Sequence, residues 1–182
     1  MNAEPGPAVP LALPTLVGER CILRPLRPGD AASLQRYADD PEVAHNLFEG
    51  FPQPYTLAAA EAWCAHEHHD PRFAHVLGVV VERDEVAGCI SATPQQGLWG
   101  TSTIVGYWLG RAYWGRGVMS EALALLSAWA WTALPCTTRL WMPIYARNGA
   151  SQAVARRAGY RLEGPSSRCA RMATPSTPCN MV

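Results

Sequence analysis

The feature that most constrains this chain is an apolar strand that runs through a glycine-rich turn straight into a helix, GYWLGRAYWGRGVMSEAL at 106–123. Ile104–Leu109 carries the bulky residues of a strand, and the helical pattern over Glu121–Thr132 places Ala122, Leu123, Leu126 and Ala130 on one face. Between them, Gly115 and Gly117 let the backbone turn tightly and approach a ligand closely. The N–H groups of Arg116, Gly117, Val118 and Met119 would then share one concavity at the positive end of a helix. Such a concavity holds phosphate without net protein charge, and Arg116 can add a charge-assisted contact. A plain tight turn would use the same glycines, so the segment alone leaves both readings open. It fits neither nucleotide fingerprint: the third glycine of the dinucleotide motif would fall at Ser120, and no Gly-Lys-Ser/Thr occurs.

Charge narrows the ligand classes. Fifteen Lys plus Arg balance fifteen Asp plus Glu, so no long-range field steers the protein toward nucleic acid or an anionic membrane. No apolar run is long enough to span a bilayer. The opening MNAEPGPAVPLALP is acidic and proline-broken, unlike a secretory signal, so a cytoplasmic location is expected. Six cysteines stand at 21, 64, 89, 136, 169 and 179 without a Cys-x-x-Cys pair, which fits reduced thiols. In the run His66-Glu67-His68-His69-Asp70, His66 and Asp70 are one helical turn apart. No second ligand cluster accompanies them, so a solvated helix end is expected there and no metal.

The 182 residues suggest one domain: a disordered or extended lead over 1–17, a folded domain over 18–164 and a divergent tail over 165–182. Within the domain, Cys21–Leu26 alternates as a strand. Asp30 can cap a helix to Asp39, Pro41 allows a further short helical turn, and Thr56 can cap a helix to about His68. Ala74–Glu82 and Val86–Ala92 read as strands about a turn at Arg83–Glu85. Arg139–Tyr145 is a strand in which Pro143 removes one ladder donor. Ser151–Ala158 is a short helix with Gly159 at its left-handed end, and Tyr160 begins a final strand. The order β-α-α-β-β-β-α-β-α-β specifies an α+β architecture, a mixed sheet with helices on its faces.

A second strand-to-helix junction, NGASQAVARRAGYRLEG at 148–164, follows the first. Asn148 brings an amide that both donates and accepts. Ser151 can cap the helix or face a ligand.

Together the two blocks resemble the GNAT superfamily of N-acetyltransferases, specifically its RimJ/RimL-like branch, over about Gly18 to Gly164. The resemblance implies a mixed, mostly antiparallel sheet whose two central strands, here Ile104–Leu109 and Arg139–Tyr145, splay apart. It implies acetyl-CoA as co-substrate. Trp114, Gly115, Arg116, Gly117, Val118 and Met119 would cradle its pyrophosphate. Backbone groups of Tyr107 and Leu109 would pair with pantetheine, Asn148 would hold the pantetheine arm, and Ser151 would lie near the cofactor. The reaction implied is attack of a neutral primary amine on the thioester, with Ser151 and Asn148 as the catalytic candidates. The acceptor would be a protein N-terminus, such as that of a ribosomal protein, or a small amine. Phe51 and Tyr55 of the early loop, and Trp99, would line its pocket; a homodimer is compatible.

The chain departs from the family pattern at four points. A tyrosine that many members use to protonate the thiolate is Ala155 here. A glutamate common before the Gly-Tyr-Trp segment is Ile104, which leaves Glu82, Glu85 and His75 as replacement bases. The first position of the phosphate loop is Ala112. After Gly164 the match fades, so the last strand of the sheet is expected to be degenerate or missing, leaving an exposed edge. These losses support a second reading, a CoA-binding protein without turnover.

Overall fold

The computed structural model describes residues 12–48, 50–65, 75–165 and 169–174; the histidine cluster at 66–70 lies outside the described residues. The strands are β1 (Leu16–Val17), β2 (Ile22–Arg24), β3 (His75–Glu82), β4 (Glu85–Pro94), β5 (Ser102–Leu109), β6 (Arg139–Tyr145), β7 (Arg161–Pro165) and β8 (Cys169–Ala173). The helices are α1 (Ala31–Ala38), α2 (Pro41–Ala44), α3 (Leu57–Ala65), α4 (Val118–Ala133) and α5 (Gly149–Arg157). The strands form one sheet in the order β1-β2-β3-β4-β5-β6-β8-β7. Every neighbouring pair is antiparallel except β5 and β6, which are parallel.

The sheet is covered on both faces, which is why β3 and β4 read as nearly continuous apolar runs. On one face, Ala122, Leu123, Leu126 and Ala130 of α4 are fully buried against Leu77, Val79, Ile90, Ala92 and Val105. On the other, Leu34 and Ala38 of α1 and Ala60 and Cys64 of α3 meet Val76, Val80, Val86 and Cys89. Removing each large aliphatic side chain from water contributes about 1.5–3 kcal/mol. Cys21, Cys64, Cys89 and Cys136 are free thiols.

The closing strand, expected to be degenerate or missing, is present. Cys169–Ala173 forms β8, which inserts between β6 and β7 and pairs with both. Met172 and Ala173 are buried. The surrounding Pro, Ser and Thr hide this strand in the sequence. Two flanking strands supply its ladder bonds, and tertiary context outweighs weak strand propensity. The edge of β6 is therefore covered.

Asp30 also departs from expectation. It precedes α1 but makes no side-chain cap. Its carboxylate turns inward and takes a bidentate contact from Arg24, with Nη1 and Nη2 at 2.8 and 2.9 Å, and accepts from the Arg27 N–H at 2.7 Å. Arg24 also reaches the Asp84 carboxylate through Nε at 3.0 Å and the Asp84 carbonyl through Nη2 at 3.0 Å. Asp84 and Arg83 form the β3–β4 turn with φ of 58° and 51°. This left-handed conformation suits a two-residue hairpin but is uncommon outside glycine, and the Arg24 clasp holds it. Thr56, in contrast, caps α3 as its sequence predicts, accepting from the Ala59 N–H at 3.2 Å.

Glu121, in the first turn of α4, anchors the start of the sheet. Its carboxylate accepts from the backbone N–H of Glu19, Arg20 and Cys21 at 2.9, 2.7 and 3.1 Å. Burial opposes its ionisation, but the backbone donors of Arg20 and Glu19 and the Cys21 thiol outweigh that and hold its pKa below the ordinary carboxylate value. A lowered folded pKa contributes stability above the unfolded carboxylate pKa, and that contribution is lost as pH falls through the folded value.

Two predictions follow from these clasps. Asp30→Ala should destabilise the fold by about 3–5 kcal/mol in urea unfolding, because it leaves the Arg24 charge buried without its main partner. A loss below about 1 kcal/mol would show the clasp to be incidental. Glu121→Gln should cost about 1–3 kcal/mol at neutral pH and flatten the acid limb of stability against pH; an unchanged acid limb would remove the assigned role.

A splayed-strand cleft as the candidate active site

The cleft opens between β5 and β6. Leu140 bonds Thr174 beyond β8 through its carbonyl, which accepts from the Thr174 N–H at 2.9 Å. Backbone groups alternate sides along a strand, so the odd-numbered residues Arg139, Trp141 and Pro143 face β5. The parallel ladder pairs Ser102–Ile104 with Arg139–Trp141 and then stops. The next donor toward β5 would come from Pro143, which has no N–H. Beyond this point the strands part, one running on to Leu109 and the other to Tyr145.

The same alternation sets what the other lip presents. On β5, Gly110 donates to Ala87 of β4 at 2.8 Å, and Ser102 accepts from Gln95 at 2.9 Å. Even-numbered groups thus face β4, and those of Val105, Tyr107 and Leu109 face the gap. The Leu109 carbonyl is already engaged, accepting from the Trp114 indole Nε1 at 2.7 Å. Trp114 therefore ties the turn back onto the strand.

At the wide end of the gap lies the glycine turn. Gly115 and Gly117 have φ of 74° and 79°, and Gly117 is the N-cap of α4. Glycine has no side chain to cap the helix, so the first-turn N–H groups lack an intrahelical acceptor and a side-chain one. This geometry fits an anionic group. Val118 and Met119 bury their side chains in the core and offer only backbone. Arg116 lies 3.8 Å from Glu82 and over the Tyr113 ring, with its guanidinium 5.4 Å from the centroid. A second cation stands here unannounced by any motif: a Cβ on Gly117 would lie 3.6 Å from Cδ and Nε of Arg20. Arg20 is held by the Glu121 clasp of its own backbone.

Across the gap, α5 begins at Asn148, whose Oδ1 caps it by accepting from the Ser151 N–H at 3.0 Å. Asn148, rather than Ser151, is thus the cap, and its amide N–H groups remain as donors. The Ser151 hydroxyl meets the Tyr107 hydroxyl at 2.7 Å, and the Tyr107 hydroxyl also donates to the Ser151 carbonyl at 3.1 Å. Burial pushes the Tyr107 pKa up to about 12, against the opposing effect of the Ser151 hydrogen bond. The hydroxyl of Tyr107 bridges both lips of the cleft, a role for which its sequence position carries no signal.

The replacement bases do not gather here. His75 is buried, edge-on to Trp129 at 5.5 Å, and burial lowers its pKa; its Nδ1 has no hydrogen-bond partner. Glu82 and Glu85 flank the hairpin turn, where Glu82 meets Arg116 and Glu85 pairs with Arg36. Ala155 is fully buried. Among the described residues no group of three or more His, Cys, Asp or Glu could hold a metal ion, and no helix is long and apolar enough to cross a membrane.

On the sheet face opposite Tyr107, Trp108 meets Phe51 edge-on at 6.4 Å. Phe51 stacks on Tyr55 at 5.0 Å and meets Phe48 at 6.1 Å. Tyr55 is buried in the core between α1 and α3, so Phe51 and the exposed Phe48 form the accessible part of this wall. Trp99 stands apart on the loop before β5, 64% exposed. Two ties hold α2 at the wide end of the gap. Arg111, just past β5, pairs with Asp40 at 2.9 Å, and Arg147, just past β6, donates to the His45 carbonyl at 2.8 Å.

Solved structures share this fold. A ribosomal-protein-S5-alanine acetyltransferase from Vibrio fischeri matches with a TM-score of 0.77 at 18% identity, over 92% of this chain and 99% of its own. Mycobacterium smegmatis RimJ, solved with a CoA disulfide, matches at 0.74 and 20% identity, over 88% of this chain and 87% of its own. RimL, a ribosomal L7/L12 α-N-protein acetyltransferase solved with coenzyme A, matches at 0.72 and 19% identity, over 88% and 97%. No curated protein matches the chain in sequence. The family model of the acetyltransferase (GNAT) domain matches residues 20–161, a span that includes the parted strands, the glycine turn and the Asn148–Ser151 junction, and the chain belongs to that family.

Proposed function

We propose that this protein is an acetyl-CoA-dependent N-acetyltransferase that moves acetyl to a primary amine by direct attack on the thioester. The observation that carries the reading is the continuity of the cleft. A left-handed glycine cap at α4 opens onto a strand edge with free backbone groups, and that edge leads to Asn148, Ser151 and Tyr107. An extended ligand with phosphate at one end and amides along its length fits this sequence of groups. Acetyl-CoA supplies the activated acetyl group; the protein's residues bind and orient it. Val105, Tyr107 and Leu109 offer strand-like pairing to its amides, the α4 cap with Arg116 and Arg20 offers donors to its phosphates, and Asn148 offers side-chain N–H groups. A backbone N–H on the β5 lip can stabilise the developing oxyanion, and holding both reactants together supplies much of the acceleration.

The missing base points to the acceptor. None of the candidate bases reaches the cleft, so the amine must arrive neutral or lose its proton to water. An α-amine, with a pKa of about 7.7–8.0, is neutral far more often at pH 7 than a lysine side chain at about 10.4. That favours a protein N-terminus or a small amine of similar pKa, approaching past Phe48 and Phe51. The same absence supports the second reading, a CoA-binding protein without turnover. Calorimetry with acetyl-CoA followed by a free-thiol assay over α-amino peptides and small amines separates the two. Binding with thiol release establishes the transferase. Binding without release across the panel establishes the silent reading, and a folded chain that does not bind refutes both.

Gly117→Val should weaken acetyl-CoA binding at least about tenfold, because a β-branched residue at φ 79° costs on the order of 1–3 kcal/mol and distorts the cap. Unchanged affinity in calorimetry would refute the loop assignment. Ser151→Ala should lower kcat by about a hundredfold, the scale of a lost hydrogen-bond donor to a developing anion, with acetyl-CoA affinity within about threefold of wild type. An equal kcat would leave Ser151 a spectator.

A further inference from the structure

Resting on the acetyl-transfer reading, we propose that Tyr107 is a positioning residue that makes Ser151 a hydrogen-bond donor to the departing CoA thiolate, so that the pair stabilises the anion without protonating it. The hydroxyl geometry carries the argument. Tyr107 Oη lies 2.7 Å from Ser151 Oγ and 3.1 Å from the Ser151 carbonyl. Each hydroxyl has one proton, so two arrangements satisfy the same heavy atoms. In one, Ser151 donates to Tyr107 and Tyr107 donates to the carbonyl, leaving no proton for the cleft. In the other, Tyr107 donates to Ser151 Oγ, and the Ser151 proton is free to point across the gap. Two hydroxyl rotations interconvert them without moving a heavy atom. An anion in the cleft selects the second, because a charge-assisted bond to Ser151 replaces a neutral one.

The Asn148 cap fixes the backbone of Ser151 at the start of α5, and Tyr107 sits on β5 across the gap, so the donor is aimed from both sides of the cleft. Proton transfer along the pair would end in a Tyr107 phenolate. Burial holds that phenol near pKa 12, far above a thiol at about 8.5, so transfer runs uphill and the pair stops at hydrogen bonding. The balance of the reaction is then simple. The N–C bond forms, the C–S bond breaks with its electron pair on sulfur, the nitrogen releases one proton to water, and water returns one to the thiolate.

A thiolate stabilised in this way must show a lowered pKa in the product complex. The test is an ultraviolet pH titration of the protein with bound CoA, referenced to the complex with desulfo-CoA to remove the protein's own tyrosines and cysteines. Wild type should hold the CoA thiol at least about one pKa unit below free CoA. Tyr107→Phe should raise it by about half to one unit, and Ser151→Ala should restore the free value whether or not Tyr107 is present. In turnover, Tyr107→Phe should lower kcat about tenfold with KM for acetyl-CoA within about twofold, and the double variant should be no slower than Ser151→Ala alone. Equal thiol pKa values in wild type, Tyr107→Phe and Ser151→Ala overturn the proposal, as do multiplying losses in the double variant. A wild type that binds CoA with a lowered thiol pKa but transfers no acetyl to any amine overturns the transferase reading and leaves the donor pair standing.

Discussion

The parting of β5 from β6 is the constraint on which the rest of this structure depends. A parallel pair inside a mixed sheet normally continues its ladder for the length of the shorter strand. Here it stops after Ile104 and Trp141, where Pro143 presents a ring instead of an N–H. The sheet remains continuous on the far side, because β6 keeps its register with β8 through Tyr145. Where the ladder ends, Pro143 offers no N–H to β5, and a polar strand edge stands open while the sheet around it stays continuous.

The cleft needs its two lips held at a fixed separation, and two sets of contacts do this, while a third holds the glycine turn to its own lip. Tyr107 and Ser151 span it with hydroxyls. Trp114 fastens the glycine turn to the end of β5 through the Leu109 carbonyl. Arg111 and Arg147 reach from the two lips to opposite ends of α2. Glu121 joins the start of α4 to the β1–β2 turn, so the residue that locks the first strands also orients the helix that Gly117 opens. Its ionisation links the stability of this corner of the fold to acid pH.

The amino-acid pattern shows most of the architecture, and the reasons are local. The strands from His75 to Leu109 announce themselves by valine and isoleucine runs between turn residues. The helix after Gly117 shows its apolar stripe, and Gly115 and Gly117 stand where the chain must take positive φ. The strand over Cys169–Ala173 is invisible in this way. Its partners β6 and β7 supply its hydrogen bonds and the core supplies its burial, while its own residues carry neither alternation nor strong propensity. Asp30 misleads for a related reason: as a cap candidate it satisfies a local rule, yet a buried guanidinium from β2 offers a stronger partner.

What the sequence determined by itself is the set of elements and the chemistry available at two junctions, a glycine turn opening a helix and an Asn-x-x-Ser opening another, because backbone conformation and capping depend on neighbours a few residues away. What only the tertiary structure decided is which groups meet. Arg20 comes to lie beside Gly117, Tyr107 comes to touch Ser151 across a gap, His75 is sealed beneath Trp129, and the hairpin glutamates Glu82 and Glu85 are spent on Arg116 and Arg36. These pairings join segments far apart in the chain, and they are fixed by strand order, by the face on which each side chain emerges and by the point at which a proline ends a ladder.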